Sequence, residues 1–288
     1  MKKILLIALL FVSFSAKAQL LWEISGNGLQ KPSYIYGTMH VSDMRVFEFD
    51  SMVLPKFEQC DAFAGEMIFD QNMMMSMMDL LFMKDTTLAD LLAPDQYSYV
   101  KKYLDKNLGF MAGMSQRFKP IFTSVFITEK SSADQKNSVS SGLPLDIYFQ
   151  QLAQEKKKEL IGLETFNEQV EAFNSIPLKM QARMLYEEIK ELDSTKTDNS
   201  LDRLIDLYVS GDLDSLYSYS SGQFSKDIND KLLTIRNQKM AGRIDKLIKT
   251  RSLFIGIGAA HLPANEGVME LLRKKGYLVK PLSKKREK

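Results

Sequence analysis

The sequence predicts an α/β (mixed α+β) fold, in which helices flank a central mixed β-sheet and a long helical region occupies the middle of the chain. Short apolar runs typical of strands occur near both ends of the chain and once between them, separated by segments with helical periodicity. A length of 288 residues and a hydrophobic content of 45% suffice for a sizeable core. This composition excludes a disordered, collagen-like or disulfide-stapled chain.

The amino-terminal part of the chain predicts three strands. Apolar runs over 20–23 and 33–37 flank a Gly-Asn-Gly turn at 26–28, which indicates a β-hairpin. A helical stretch over 51–60 leads into an apolar run over 62–68, which predicts a buried strand. We therefore expect the sheet to begin with this hairpin and this strand.

Helical periodicity dominates the middle of the chain, where we expect a helical insertion over about 70–157. No fixed-period repeat and no linker divide the chain, so we expect a single domain over 19–288. The later predicted elements are a strand over 160–163, a helix over 225–249, a strand over 252–257, a helix over 263–275 and a strand over 278–281.

The first 18 residues are typical of a signal peptide. A pair of lysines precedes an apolar run over 4–14 and an Ala-x-Ala sequence at 16–18, which predicts cleavage before Gln19. The apolar run is too short to span a bilayer, and no later run reaches about 18 apolar residues. We expect an exported protein, periplasmic or secreted, with no transmembrane segment in the mature chain.

The charge of the mature chain is balanced. The formal net charge is +2, but three of the 38 Lys and Arg residues lie within 1–17, where there is no acid. Without a broad basic surface, we expect no nucleic-acid partner. Cys60 is the single cysteine, so no intramolecular disulfide forms, and we expect it to be a buried, inert thiol. The sequence sets no oligomeric state.

The two histidines of the chain, His40 and His261, share one local pattern. Each follows an apolar β run that ends in Gly-x-x-His, with the glycines at Gly37 and Gly258. A glycine at a strand end allows a sharp turn or a close approach to a ligand, and open α/β sheets bind ligands beyond the carboxyl ends of their strands. We expect one site built from the two ends of the chain. The alternative is two unrelated histidines at sheet ends.

Two glutamates are candidate partners of these histidines. Glu66 lies within the apolar run over 62–68, where a carboxylate must be paired, coordinated or at the open end of the strand. It is interpreted as a metal ligand or a general base, with a structural ion pair as the alternative. Glu164 follows the strand over 160–163 and either joins the site or caps the helix that starts near Thr165.

Arg236 interrupts an apolar helical stripe. An arginine on a core-facing stripe needs an acidic partner or an anionic substrate group. We expect it to pair with Glu66 or Glu164, and the pair either orders the site or is purely structural. The apolar positions of the stripe are Ile228, Leu232, Met240 and Ile244.

These motifs together resemble the TraB/GumN family over about residues 20–282. That family is related to the TIKI metalloproteases and, more distantly, to erythromycin-esterase and ChaN-like proteins, so the resemblance implies their fold. Besides the two Gly-x-x-His motifs, the matching stretches are Leu21-Trp22-Glu23-Ile24, Ala64-Gly65-Glu66, Gly162-Leu163-Glu164-Thr165, Glu168-Gln169 and Arg236-Asn237.

The resemblance implies a metal-dependent hydrolase that acts on a peptide or small-molecule substrate. His40, His261 and Glu66 would hold the divalent ion, and an open site of two His and a carboxylate suits Mn²⁺, Co²⁺, Fe²⁺ or Zn²⁺. Catalytic roles are expected for Glu66, for Glu164 as a proton acceptor and for Arg236 as a stabiliser of the oxyanion. The chain carries no G-x-S-x-G, Walker A or H-E-x-x-H motif.

Two other functions stay open. One is a metal-independent, esterase-like hydrolase with a histidine base, and the other is a non-enzymatic protein that binds haem or a peptide in the same cleft.

Two further features carry weaker signals. Asp146 is explained by helix-start electrostatics, although it also resembles an acidic position in relatives. The seven methionines within 67–83 indicate core packing, an adaptable apolar surface over the site, or Cu(I) ligation.

Overall fold

The computed structural model describes residues 19–69, 80–134, 143–194, 200–222 and 224–282. The expected signal peptide, residues 1–18, and the methionines at 73–78 lie outside the described residues. Among the described residues, no helix is long and apolar enough to cross a membrane.

A single mixed sheet forms the centre of the described structure, in the order β4-β3-β5-β2-β1-β6. Strands β4, β3, β5 and β2 run parallel to one another, whereas β1 is antiparallel to β2 and β6 is antiparallel to β1. The predicted α/β class with a mixed sheet is confirmed. The strands are β1 (Leu21–Ser25), β2 (Ser33–Thr38), β3 (Ala62–Gly65), β4 (Glu159–Gly162), β5 (Leu253–Gly258) and β6 (Leu278–Pro281).

The predicted hairpin is formed by β1 and β2. Gly26, Asn27 and Gly28 all have positive φ angles, of 78°, 48° and 80°. Only glycine, and to a lesser degree asparagine, adopts this backbone region without steric cost, so the turn residues determine where the chain reverses.

Helices connect the strands and cover the sheet. Between α11 and α12 the chain forms a π-helical stretch, Asp230–Thr234. The helices are α1 (Val53–Gln59), α2 (Leu88–Leu91), α3 (Pro94–Leu108), α4 (Ala112–Ser115), α5 (Pro120–Asp134), α6 (Leu145–Glu155), α7 (Phe166–Asn174), α8 (Leu178–Leu192), α9 (Ser200–Ser210), α10 (Leu213–Ser221), α11 (Lys226–Asn229), α12 (Ile235–Leu247) and α13 (Val268–Lys274).

The main core is a cluster of aromatic rings between the sheet and two helices. Phe149 of α6 lies 5.3 Å from Phe254 of β5 and 5.4 Å from Tyr36 of β2, measured between ring centroids. Phe57 of α1 lies 5.1 Å from Phe254. Each such pair contributes about 0.5–1.5 kcal/mol beyond area burial. The cluster therefore holds α6 firmly against the two strands that carry the Gly-x-x-His motifs.

A second, smaller core lies among the helices of the middle region. It joins α2, α3 and α5 to α8, so this helical layer includes a segment beyond the predicted insertion over 70–157. Its buried residues are Met83, Leu88, Leu92, Val100, Leu104, Ile127, Ala182, Leu185 and Ile189.

Two predicted boundaries differ from the structure. Strand β3 ends at Gly65, so Glu66 lies just beyond the strand and not within it. The chain turns here so closely that a Cβ at Gly65 would lie 3.3 Å from the carbonyl oxygen of Met67. The last helix begins at Val268 and not at 263, because Ala264 has a φ of 71° in a turn that separates this helix from β5.

Replacing Gly267 by Ala should destabilise this turn. A Cβ there would lie 1.8 Å from the carbonyl oxygen of Pro263 and 2.4 Å from that of Leu262, so the backbone must shift. We expect the free energy of unfolding in urea to fall by about 3 kcal/mol or more.

The matched control is Gly242→Ala in α12, where, apart from the adjacent residues and the backbone of the helix itself, no atom of the described residues lies within 4 Å of the added Cβ. Because alanine favours helix, this variant should be as stable as the parent or more stable by up to about 1 kcal/mol. Equal stability of the two variants would contradict the packing of the turn.

Candidate functional site

The two Gly-x-x-His motifs leave the sheet side by side. Strands β2 and β5 are parallel neighbours, and their register pairs Gly37 with Ile257 and Thr38 with Gly258. Strand β3 lies on the other side of β5 and ends at the same edge, with Gly65 opposite Gly256. Both histidines and Glu66 therefore follow strand ends at one edge of the sheet, as expected from the sequence.

The backbone at Gly258 is the point on which these three side chains converge. Its N–H donates to Oε1 of Glu66 at 2.6 Å. A Cβ at this position would lie 2.9 Å from the same oxygen, 3.6 Å from Cδ2 of His261 and 4.0 Å from Nε2 of His40. The glycine thus leaves a small space bounded by two imidazoles and one carboxylate.

His261 is buried, with 7% of its side chain exposed, and its orientation is fixed by Asn237. The amide nitrogen of Asn237 donates to the carbonyl oxygen of Glu266 at 2.8 Å, so its oxygen, Oδ1, faces Nδ1 of His261 at 2.6 Å. Nδ1 must then carry the proton, which leaves the lone pair on Nε2. Nε2 lies 3.8 Å from Oε1 of Glu66. Burial, with the nearby Arg236 charge, lowers the pKa of His261 to about 4, so the ring is neutral.

His40 also presents its Nδ1 to an acceptor oxygen, but the acceptor is a carboxylate and the ring is exposed to solvent. Its side chain is 59% exposed, and Nδ1 lies 3.0 Å from Oδ2 of Asp146, at the start of α6. The charge of the Asp146 carboxylate raises the pKa of His40 to about 9. The second oxygen of Asp146, Oδ1, is buried and has no hydrogen-bond partner in the described structure.

Arg236 is buried between two glutamates. Its Nη2 donates to Oε2 of Glu66 at 2.8 Å and to Oε2 of Glu164 at 2.6 Å, and its Nε lies 3.0 Å from each oxygen of Glu164. The prediction of an acidic partner for Arg236 is confirmed, with both candidates bound at once. Because an unpaired buried charge is very costly, this triad is stable only as a unit.

The two carboxylates of this triad have opposite pKa shifts. Burial alone would raise the pKa of Glu66, but the charge that His261 acquires below its own pKa, the charges of Arg236 and His40 and the N–H of Gly258 lower it to about 2. Glu66 is therefore ionised. Burial raises the pKa of Glu164, and hydrogen bonds from Arg236 oppose this shift.

Glu164 does not cap the following helix, so that interpretation is wrong. The cap of α7 is Thr165, whose hydroxyl accepts from the N–H of Glu168 at 3.2 Å while the Glu168 carboxylate accepts from the N–H of Thr165 at 2.9 Å. The Glu164 side chain is fully buried. Its two oxygens face Arg236 and not the helix start.

Asn237 is the site residue whose role had the weakest signal in the sequence. It stood out only as part of a matching stretch, because nothing in its spacing shows that its side chain faces a histidine 24 positions later. Asp146 gave only a helix-start signal. Cys60 is buried, and burial raises the pKa of its thiol to about 11, as expected for an inert cysteine.

Residues 20–281, which include every residue of this site, match the TraB/PrgY/gumN family. The chain belongs to this family. It is 26% identical to the metalloprotease TIKI2 of Xenopus tropicalis, over 86% of this chain and 57% of the relative.

Two further relatives show the same degree of similarity. The chain is 25% identical to the metalloprotease TIKI1 of Danio rerio, over 90% of this chain and 62% of the relative. It is 24% identical to human TIKI1, over 90% of this chain and 61% of the relative. The chain thus spans about three-fifths of the length of these curated relatives. No solved structure matches it.

His40, His261 and Glu66 bring two imidazoles and one carboxylate to the same small space. Among the described residues, no three His, Cys, Asp or Glu side chains are already arranged around a common ion position. The donor chemistry nevertheless fits, because Asp146 and Asn237 engage the two Nδ1 atoms and leave Nε2 of each ring as the donor atom once His40 has lost its second proton. The 3.8 Å between His261 Nε2 and Glu66 Oε1 is less than twice a zinc–ligand bond of about 2.0–2.2 Å.

Replacing Arg236 by Met should destabilise the protein strongly at neutral pH. The change leaves Glu66 and Glu164 buried next to each other without the guanidinium that pairs with both, and breaking a buried ion pair in this way costs about 3–5 kcal/mol. The loss should shrink as the pH falls, because protonation of the carboxylates removes their repulsion. Urea unfolding at pH 7 and pH 4 measures both effects.

Arg243→Met, on the same helix, is the matched control. Arg243 pairs with Glu168 through both oxygens, but it is 38% exposed. Its loss should cost about 1 kcal/mol or less. A loss of less than 1 kcal/mol in the Arg236 variant at pH 7 would show that the triad is not a structural unit.

Proposed function

We propose that the chain is an exported, metal-dependent hydrolase, periplasmic or secreted, that cleaves peptide bonds. The observation that supports this most strongly is the convergence of Nε2 of His40, the ring of His261 and the ionised carboxylate of Glu66 on Gly258. The curated relatives named as metalloproteases support both the metal and the substrate class.

His40, His261 and Glu66 are the residues proposed to hold the ion. Their two nitrogens and one oxygen form a donor set typical of Zn²⁺, Fe²⁺, Co²⁺ or Mn²⁺ sites with an open position. A divalent ion held by these residues would supply Lewis acidity for the hydrolysis of a carbonyl compound. In their neutral forms the two imidazoles would offer the lone pair of Nε2 to the ion, because Asp146 and Asn237 face the Nδ1 atoms.

Arg236 and Glu164 are proposed to position Glu66. The guanidinium keeps Glu66 ionised and holds Oε2, while the Gly258 N–H holds Oε1. Glu164 in turn fixes Arg236 through both of its oxygens. Since the Glu164 side chain is fully buried and engaged, we assign it this positioning role in place of the proton acceptor expected from the sequence. Arg236 also donates from Nη1 to the Leu232 carbonyl oxygen at 3.2 Å, so its charge is directed mainly into the protein.

A metal-independent hydrolase is the second candidate, favoured by the contact between His40 and Asp146. An exposed imidazole whose Nδ1 is held by a carboxylate is the arrangement of a histidine general base. The two candidates differ in one measurement. Peptide hydrolysis that survives exhaustive chelation would favour the histidine base, whereas hydrolysis that is lost and then restored by Mn²⁺ or Co²⁺ would favour the metal.

The decisive variants are His40→Ala and His261→Ala in the chain from Gln19 onward. We expect elemental analysis after loading with Mn²⁺, Co²⁺ or Zn²⁺ to show about one bound ion in the parent and loss of that ion in both variants. Metal-dependent hydrolysis of a peptide library should fall by at least about 100-fold, since each variant removes a direct ligand.

Asp95→Asn, an exposed acid at the start of α3, is the matched control and should keep the metal and the activity. Circular dichroism confirms that each variant is folded. Full activity in both histidine variants, or no bound metal in the parent, would refute the metal-dependent function.

A further inference from the structure

Helix α6 is attached to the loop that carries His40 by two adjacent contacts. The N–H of Leu145, its first residue, donates to the carbonyl oxygen of Val41 at 3.2 Å. The next residue, Asp146, places Oδ2 3.0 Å from Nδ1 of His40. The start of the helix and the histidine loop are therefore held together through backbone and side chain.

The side chain of Asp146 is more buried than an acid at a helix start needs to be, and it has a specific partner. Any exposed carboxylate in the first turn serves the helix dipole. Asp146 is only 21% exposed, with one oxygen directed at the imidazole and the other buried without a partner. Desolvating a carboxylate in this way is costly, and the contact with His40 is the interaction that offsets the cost.

The same face of α6 also holds the segment that follows Glu66. Gln150 lies one turn after Asp146, and its amide donates to the carbonyl oxygen of Phe69 at 2.8 Å and accepts from the N–H of Phe69 at 3.1 Å. Phe149, between them, anchors the helix in the aromatic core. One rigid helix thus supports both the His40 loop and the Glu66 segment.

We propose that Asp146 is the positioning residue of His40. Its carboxylate accepts the Nδ1–H hydrogen bond, fixes the proton on Nδ1 and directs the lone pair of Nε2 toward Gly258. The inference rests on the proposed function in one respect: it takes Nε2 of His40 to be a metal ligand. It adds to that function the residue that orients this ligand, as Asn237 orients His261.

The two orienting residues differ because their surroundings differ. His261 is buried beside Glu66, which already shares the guanidinium of Arg236 with Glu164. A third buried carboxylate there would need a further counter-charge, so a neutral amide orients the ring. His40 lies on the solvent side of the site, where a carboxylate is tolerated and binds the ring more strongly than an amide. Residues that hold a metal-bound imidazole in this way typically contribute 10- to 100-fold in metal affinity.

The first test measures Co²⁺ affinity by calorimetry in the full mature chain. Asp146→Leu removes the acceptor and should weaken Co²⁺ binding by about 10- to 100-fold. Asp146→Asn keeps an oxygen that can accept from Nδ1 and should restore most of the affinity. Gln151→Ala, an exposed position on the same helix, should bind Co²⁺ as the parent does. Unchanged affinity in a folded Asp146→Leu variant would overturn the proposal.

The second test needs no metal. The chain has two histidines, so an imidazole ¹⁵N NMR spectrum contains two rings, and His261→Ala assigns them. In the metal-free parent, at a pH at which both rings are neutral, we expect His40 to carry its proton on Nδ1, as in Asp146→Asn. Asp146→Leu should shift the proton toward Nε2. If the parent bound no Co²⁺, the proposed function would fail, while this spectrum would still decide the role of Asp146: the same proton position in Asp146→Leu and parent would refute it.

Discussion

The buried guanidinium of Arg236 is the interaction on which the site depends. Two carboxylates, Glu66 and Glu164, lie at the ends of neighbouring parallel strands, where burial and mutual repulsion would otherwise favour protonation. Arg236 reaches them from α12 and keeps Glu66 ionised. The second oxygen of Glu66 is then held by the N–H of Gly258. The guanidinium of Arg236 thus links α12 to the ends of β3 and β4, and through Glu66 to β5. It keeps an ionised carboxylate at the edge of the sheet where the histidines lie.

The histidines come together because the two ends of the chain pair in the sheet. Strand β2, near the amino terminus, and β5, near the carboxyl terminus, are parallel neighbours, and each ends in Gly-x-x-His. The rings have opposite environments: His261 is buried and neutral, whereas His40 faces solvent beside a carboxylate. Both rings nevertheless border the same small space beside Gly258. The combination of a common geometry and different burial is what makes this edge of the sheet suitable for one ligand reached from solvent.

Much of this arrangement could be predicted from the sequence, for reasons that are physical. The hairpin follows from Gly26-Asn27-Gly28, and the common location of the two motifs follows because parallel strands end at one edge. The pairing of Arg236 follows from its place on an apolar stripe. The end of β3 was misplaced because a single carboxylate at the end of an apolar run does not disrupt the β pattern.

The contacts that orient the rings could not be predicted in the same way. Asn237 and Asp146 each meet a histidine from another part of the chain, and neither helix spacing nor strand alternation encodes such a contact. For Glu164, the local sequence pattern suggests a contact that the structure does not contain. An acid before a helix suggests a cap, but in the structure Thr165 and Glu168 form the cap and Glu164 turns to Arg236. Tertiary charge pairing outweighed the local preference.

The most direct test of this account is a crystal structure of the chain grown with Co²⁺ and measured at the cobalt absorption edge. We predict one anomalous peak at the edge of the sheet, about 2.0–2.2 Å from Nε2 of His40, Nε2 of His261 and an oxygen of Glu66. Arg236 should still bridge Glu66 and Glu164. A peak elsewhere, ligation through Nδ1 of either ring, or two histidines that lie apart would contradict it.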